Sequence, residues 1–229
     1  MLTVKDVHLK IKDQAILDQI SFSLEPKAVT ALIGHNGAGK STLIKAIIGM
    51  TEINEGEITL AGVDQSEDFL KFKKNVSYIP EEAFLLSELT VEQHFQLYID
   101  SYQLDPETAR EKINRYINVF EIADKLDQYP ESLSKGMRAK VQIICALLPD
   151  VQLLLVDEPF DGLDVHATQF LIEELQEKAV SGTTVLLTTH QLNRLQDFAD
   201  YFLMLQQGKV IDSGKMIDFS TLKRRFDQS

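Results

Sequence analysis

The sequence predicts an α/β fold with three parts: a mostly parallel sheet as the core, an antiparallel β part at the N-terminus, and an inserted helical subdomain. Residues 29–33 and 152–156 are continuous apolar runs, as expected of strands that are buried on both faces. Between them, residues 84–148 carry apolar side chains at helical spacing. Short strand-like stretches precede residue 29, which indicates the antiparallel part.

The length of 229 residues predicts one domain, 1–229, with a sizeable hydrophobic core. We divide it into an α/β core, 1–83 and 149–229, and a helical subdomain, 84–148. The net charge of -12 argues against a nucleic-acid partner and against direct docking on anionic lipid. The sequence has no run of 18 to 20 apolar residues, so we expect no direct membrane insertion.

The single cysteine, Cys145, rules out an internal disulfide. It lies in a helical apolar pattern, so core packing is the expected role and a reactive thiol is the lesser alternative. A chain with one buried cysteine is typical of the reducing cytoplasm.

The elements of the core are expected in the following order. A glycine-rich turn over 34–39 leads into a helix over Lys40–Ile48, which Gly49 ends. Strands are predicted at 56–60, Val76–Ile79 and 183–187, and a final hairpin at 202–205 and 210–213. A helix from about residue 215 is expected to carry a basic end, Lys223, Arg224 and Arg225, which suits the helix dipole.

A phosphate-binding motif follows the first buried strand. Residues 34–41 read G-H-N-G-A-G-K-S and fit G-x-x-x-x-G-K-[ST] at every position. The glycines let successive backbone N–H groups point at phosphate, and the following helix adds its positive end. The expected nucleotide-binding residues are Gly34, His35, Asn36, Gly37, Ala38, Gly39, Lys40, Ser41 and Thr42. Lys40 is expected to reach the β- and γ-phosphates and Ser41 to bind Mg²⁺. Strand, loop and helix in this order open a parallel α/β unit, which resembles a P-loop NTPase with a RecA-like core.

Two adjacent acids end a second buried strand. Asp157 and Glu158 follow L-L-L-V, and a strand that ends beside the phosphate loop presents Asp157 to Mg²⁺. Glu158 is then placed to accept a proton from the attacking water. Without the phosphate loop, the same pair would suit an ordinary strand end at the surface.

Three further segments resemble the ATPase subunits of the ABC transporter family. Residues 133–137, L-S-K-G-M, are similar to the family's L-S-G-G-Q signature, and 160–164, F-D-G-L-D, resemble its D-loop. His190, after T-T, resembles the switch histidine. The resemblance implies that Ser134 and Gly136 bind the γ-phosphate held by an opposing subunit, and that His190 positions the attacking water. From the residues alone, Ser134 is equally suited to cap a helix, and both roles can hold.

The resemblance covers the whole chain and implies an ATP hydrolase that uses ATP and Mg²⁺, with Glu158, His190 and Lys40 as catalytic residues. It also implies two ATPase subunits packed head to tail, a homodimer being sufficient, beside a transmembrane permease on the inner face of the membrane. Residues 78–82, Y-I-P-E-E, resemble exporters of the bacitracin-resistance and Ecs kind. The permease is expected to contact residues 81–90, with Leu85, Leu86 and Leu89 as candidates; packing inside the subdomain is their alternative role.

Two positions depart from the family's pattern. Glu81 stands where most members have a glutamine that contacts Mg²⁺, and we expect Glu81 to serve as a metal ligand and as the sensor between core and subdomain. Ile11 stands where an aromatic ring usually stacks on adenine, and His8 is the alternative residue for this contact. An aliphatic side chain covers the base but loses the stacking, of order 0.5–1.5 kcal/mol, so GTP is expected to be used as well.

The motifs leave two other function classes to compare with this sequence. A soluble ATPase of the same family, acting in translation or DNA repair, is expected to have a coiled-coil insertion or two such domains, and this sequence has neither. A non-hydrolysing, ATP-gated module is disfavoured because Glu158 and His190 are both present.

Overall fold

The computed structural model describes residues 1–190 and 195–219. In chain order the elements are β1 (Leu2–Ile11), β2 (Gln14–Ser23), β3 (Val29–Ile33), α1 (Lys40–Ile48), β4 (Glu55–Leu60), β5 (Val63–Asp64), α2 (Phe69–Lys74), β6 (Val76–Ile79), α3 (Val91–Tyr102), α4 (Pro106–Val119), α5 (Lys135–Leu147), β7 (Leu153–Asp157), α6 (Val165–Ser181), β8 (Thr184–Thr188), β9 (Tyr201–Gln206) and β10 (Lys209–Lys215). Two 3₁₀ turns, Ala123–Lys125 and Pro130–Ser132, separate α4 from α5.

The strands form two sheets. The central sheet has the order β10-β9-β3-β8-β7-β6, in which only β10 runs antiparallel to its neighbour. The second sheet, β2-β1-β4-β5, is antiparallel throughout. The predicted α/β class is therefore confirmed, with the parallel sheet and the N-terminal antiparallel part both present.

The central sheet is buried on both faces, which explains the continuous apolar runs in its strands. Every residue of β3, β7 and β8 is buried. One face packs against α1 and the antiparallel sheet, and the other face packs against α5 and α6 and joins the core of the helical subdomain. Because parallel strands end at the same edge, the loops after β3, β7 and β8 lie side by side there.

Several elements have the bounds that the sequence predicts, whereas the N-terminal strands are longer than predicted. Helix Lys40–Ile48 and strand Val76–Ile79 are as predicted. The short N-terminal strands are instead two strands of ten residues each. The pairing of β1 with β2 shifts register between Val4 and Val7, and Asp6 there has a φ of 46°. Such a bulge interrupts the alternation of buried and exposed side chains, so the sequence pattern does not show the full length of β1.

Two small elements, β5 and α2, were not predicted. Helix α2 has six residues and buries only Phe72, so it carries no apolar periodicity. At the other end of the chain, residues 216–219 are helical, which agrees with the start of the predicted C-terminal helix. Its basic end, Lys223, Arg224 and Arg225, lies outside the described residues.

Helices α3, α4 and α5 form the body of the predicted subdomain, and α5 enters the central core. Cys145 on α5 is fully buried, and burial raises the pKa of its thiol, as expected of a packing residue. Within residues 1–190 and 195–219, no helix is both long enough and apolar enough to span a membrane.

Candidate nucleotide site

The phosphate loop, residues 34–41, joins β3 to α1 at the carboxyl edge of the central sheet. Gly34 lies against β9, where a Cβ atom would stand 2.4 Å from the carbonyl oxygen of Leu205, so only glycine fits. His35, Asn36 and Gly37 face solvent, whereas Ala38 and Gly39 are buried at the start of the helix. The loop therefore offers its outer residues to a ligand while its base is fixed in the core.

The start of α1 is built to receive an anion. No side chain caps this helix end, and its first turn carries no acidic residue. Its N–H groups and the positive end of the helix dipole are thus left for a phosphate group. The Lys40 ammonium donates to the carbonyl oxygens of Gly34 at 2.8 Å and His35 at 3.3 Å, which holds its charge at the mouth of the loop. Thr42 is half-buried one residue beyond Ser41.

Asp157 ends β7 with a side chain that is 2% exposed. Its Oδ1 atom accepts hydrogen bonds from Thr188 Oγ1 at 2.5 Å and from Ser41 Oγ at 3.3 Å. The register of the parallel strands places Thr188 of β8 directly beside Asp157. This arrangement brings together Ser41 and Asp157, the two residues predicted to bind Mg²⁺.

The oxygen donors at this edge suit Mg²⁺. One hydroxyl and one buried carboxylate, in contact with each other, are the hard ligands that this ion takes from proteins when phosphate and water complete its shell. In the part of the chain that the structure describes, no group of three His, Cys, Asp or Glu side chains forms a metal site by itself. A site shared with a nucleotide's phosphates agrees with both observations.

Glu158 and His190 form a hydrogen-bonded pair next to Asp157. The backbone N–H and the Nδ1 atom of His190 lie 3.1 and 2.9 Å from Glu158 Oε2. Glu158 has a φ of 46°, a left-handed conformation that is costly for a residue with a side chain and is typical of functional sites. Its backbone N–H donates to the carbonyl and hydroxyl oxygens of Thr188, at 3.2 and 3.1 Å, which holds this turn in place.

Glu81 follows β6 and is exposed. It borders a small cavity that is also lined by Glu158, Pro159 and Gln142. Burial raises the pKa of Tyr78, and the negative charges of Asp157 and Glu81 raise it further. Glu81 is thus electrostatically close to the site, as its predicted role as a sensor requires.

The signature segment, residues 133–137, begins helix α5. Ser134 is the N-cap, and its Oγ accepts from the backbone N–H of Met137 at 3.2 Å, so the capping role is present. Gly136 lies against the D-loop, where a Cβ atom would stand 2.7 Å from the carbonyl oxygen of Gly162. The signature segment and the D-loop therefore form one continuous surface of the chain.

The adenine-side position, Ile11, ends β1 and is 46% exposed. Lys12 and Asp13 follow in a tight turn with positive φ angles. Ile16, across that turn, is half-buried, and its carbonyl oxygen would lie 3.2 Å from a Cβ atom at Gly39. Both apolar side chains are accessible on the sheet that flanks the phosphate loop.

Three residues at the site or next to it were missed by the sequence analysis. Thr188 was read only as part of T-T-H, yet it holds both Asp157 and Glu158. Gln142 and Phe84 were not singled out: Gln142 lines the small cavity beside Glu81, and Phe84 is 66% exposed three residues after Glu81. For Thr188, the expected parallel pairing of two buried strands was the available signal.

The pattern that defines the ABC transporter family matches residues 17–161. The chain belongs to the ABC transporter family. The ABC-type transporter ATP-binding protein EcsA of Bacillus subtilis (strain 168) is 37% identical over 226 residues, which cover 99% of this chain and 90% of EcsA. The Nod factor export ATP-binding protein I of Rhizobium etli is 30% identical and matches 93% of this chain and 67% of its own length.

A solved structure described as an ATP-binding subunit of an ABC transporter superposes with a TM-score of 0.92 at 35% identity. The match covers 99% of this chain and 93% of that one. The resemblance found in the sequence is thereby confirmed, as is its main consequence: the chain is an ATP-binding subunit and an ATP hydrolase of the ABC type.

Proposed function

We propose that this ATPase subunit works as a head-to-tail dimer with Mg²⁺ and ATP, on the inner face of the membrane, and drives export through a transmembrane permease. The observation that carries the proposal is the Glu158–His190 hydrogen bond of 2.9 Å, directly beside the contact between Asp157 and Ser41. A candidate base and its orienting partner thus stand next to the donors for a metal ion. A catalytic base with an orienting partner would have no function in a protein that binds ATP without hydrolysing it.

At the phosphate loop, Lys40 and the N–H groups of α1 bind the negative charge of the phosphates. When bound, Mg²⁺ and ATP supply the transferable phosphoryl group and neutralise charge on it. Ser41 and Asp157 would hold the metal ion, and Glu81 is proposed as a further oxygen donor. Thr188 holds the Asp157 carboxylate in position through its hydroxyl group.

Glu158 accepts a proton from the attacking water. The backbone N–H and the Nδ1 atom of His190 both lie on Glu158 Oε2, so they hold the carboxylate in one orientation. The side chain of His190 is 58% exposed, so it remains accessible to a ligand or to an opposing subunit. The positioning of water by His190 is part of the same proposal.

The dimer is proposed because the signature segment presents an anion site at the N-terminus of α5. Ser134 and Gly136 are both near-surface residues, and Gly162 of the D-loop supports them from the same chain. A γ-phosphate held by an opposing phosphate loop would complete that site. The dimer would then close with ATP and open after hydrolysis, a two-state element able to move a membrane partner.

The permease is proposed to contact the segment 81–90. Of the three leucines suggested by the sequence, Leu86 is 52% exposed, Leu89 is half-buried and Leu85 packs on the core. Phe84 is 66% exposed and joins Leu86 in this contact. Export as the direction is supported by the Y-I-P-E-E segment and by the relative that is named for Nod factor export.

The first test is the oligomeric state of purified Glu158→Gln, measured by light scattering with and without Mg-ATP. Because this variant binds ATP but loses the base, it is expected to shift from monomer to dimer when Mg-ATP is added. The matched control is the double variant Glu158→Gln, Lys40→Ala, which is expected to stay monomeric because its phosphate loop lacks the ammonium group. A Glu158→Gln chain that hydrolyses ATP at the wild-type rate would contradict the assignment of the base.

A further inference from the structure

Two buried polar side chains, His94 on α3 and Gln142 on α5, lie outside the phosphate loop and its metal donors. They are 2% and 4% exposed. A polar side chain that is removed from water costs free energy unless its hydrogen-bonding groups find partners. Both side chains find a partner in the backbone of the same irregular stretch, the segment 81–90.

His94 uses both ring nitrogens. Its Nε2 atom lies 2.8 Å from the backbone N–H of Leu86, and its Nδ1 atom lies 2.7 Å from the carbonyl oxygen of Thr90. An N–H group only donates and a carbonyl oxygen only accepts, so Nε2 must be the acceptor and Nδ1 must carry the proton. The geometry therefore specifies one neutral tautomer of His94, with its acceptor aimed at Leu86.

Gln142 holds the same segment two residues earlier. Its Oε1 atom accepts from the backbone N–H of Phe84 at 3.0 Å, and its Nε2 atom donates to the hydroxyl group of Tyr98 at 3.3 Å. Leu85, between the two held residues, packs against the core. Three consecutive residues without helix or strand structure are thus fixed from the inside, which turns the side chains of Phe84 and Leu86 outward.

Gln142 also borders the small cavity beside Glu81 and Glu158. Gln142 therefore bonds to the backbone of Phe84, three residues after the candidate sensor, and lines the same cavity as the candidate base. We propose that His94 and Gln142 are positioning residues: they hold the segment 81–90 in one conformation, which fixes Glu81 next to Glu158 and fixes Phe84 and Leu86 for the permease. The parts about Glu81, Glu158 and the permease rest on the proposed function, whereas the hold on residues 84–86 does not.

Hydrogen exchange of the purified chain tests whether His94 and Gln142 protect the backbone N–H groups of Leu86 and Phe84. The exchange is followed by mass spectrometry of a peptide that contains residues 82–90. His94→Leu and Gln142→Met each remove an acceptor, and each is expected to raise exchange at Leu86 or Phe84 by about 3- to 10-fold. His94→Gln is expected to keep the slow exchange, because its amide oxygen can take the place of Nε2. The matched control is Gln96→Met on α3, which is exposed and bonds to Asp100.

The kinetics of ATP hydrolysis show whether the hydrogen bond between Gln142 and the segment 81–90 affects catalysis at the nucleotide site. Gln142→Met is expected to lower kcat several-fold and leave KM for ATP unchanged, since the phosphate loop is built on β3 and α1. A purely structural role would lower Tm without separating kcat from KM, so Tm is measured on the same samples.

Exchange at residues 84–86 that stays at the wild-type rate in both His94→Leu and Gln142→Met would overturn the proposed hold. Faster exchange in Gln142→Met with an unchanged kcat would overturn the proposal that this hydrogen bond positions groups near Glu158. The exchange measurement needs no nucleotide and no partner, so its result stands even where Glu158→Gln shows no dimer.

Discussion

At the scale of single residues, hydrogen bonds set the positions of the two carboxylates at the site, Asp157 and Glu158. Asp157 is the metal candidate because its carboxylate ends β7 in contact with Ser41 of the phosphate loop, and Thr188 holds the same oxygen. Glu158 is held in an unfavourable backbone conformation by Thr188, while His190 orients its side chain. Strain of this kind is tolerated because neighbouring bonds fix the turn, and it keeps the carboxylate aimed in one direction.

Replacing Ile11 tests the adenine contact. Ile11→Tyr restores a ring that can stack on the base, which is worth about 0.5–1.5 kcal/mol and is expected to lower KM for ATP by about 2- to 10-fold. The wild-type chain is expected to hydrolyse GTP at a rate similar to that for ATP. Steady-state kinetics with both nucleotides measure this, and a strong preference of the wild-type chain for ATP would contradict it.

At the scale of elements, the N-terminus of α6 connects the D-loop to the signature helix. Asp164 caps α6, accepting from the backbone N–H of Ala167, and its other oxygen accepts from Lys140 on α5 at 2.8 Å. The Ala167 bond first, and then the Lys140 ammonium, lower the pKa of Asp164 from 3.8 to about 2. The cap therefore ties two elements of the same catalytic surface together.

Asp164→Ala is expected to lower the free energy of unfolding by about 1 kcal/mol, mostly through the lost cap, since the half-exposed pair with Lys140 is screened by water. Because the pKa is lower in the folded state, the contribution of Asp164 is complete above pH 3.8 and is lost as the pH falls towards 2. Denaturant unfolding at pH 7 and pH 2.5 measures both effects. Gln169→Ala on the exposed face of α6 is the control, with no pH-dependent change expected.

At the scale of the whole molecule, the helical subdomain is fastened to the core between α4 and α6. The hydroxyl group of Tyr116 donates to the buried Glu174 at 2.8 Å, and Arg115 pairs with the other oxygen of that carboxylate. Burial and the charge of Glu174 both raise the pKa of Tyr116, so its hydroxyl group remains a donor at neutral pH. A second contact joins Lys112 and Lys178 through Asp150.

Tyr116→Phe is expected to lower the free energy of unfolding by about 1–3 kcal/mol, because it leaves a buried carboxylate oxygen without its partner. Urea unfolding measures the change. Tyr129→Phe is the matched control, since Tyr129 is half exposed, and it is expected to stay within about 0.5 kcal/mol of the wild type. An equal loss in both variants would show that the contact between α4 and α6 is not what stabilises the chain.

The sequence alone determined the fold class, the phosphate loop and the family, because these depend on local patterns. Continuous apolar runs predict strands buried on two faces, and G-x-x-x-x-G-K-S needs only its own turn to be recognised. It also supplied the candidates Asp157, Glu158 and His190, since each follows a recognisable strand.

Only the tertiary structure decided which of these groups touch. Strand register places Thr188 beside Asp157, and β1 continues through the bulge at Asp6 to Ile11. The hold of His94 and Gln142 on residues 84–86 joins positions up to 58 apart in the chain. Hydrogen bonds between distant elements leave no periodic signal in the sequence, and their partners are set by packing, so such contacts appear only once the chain is folded.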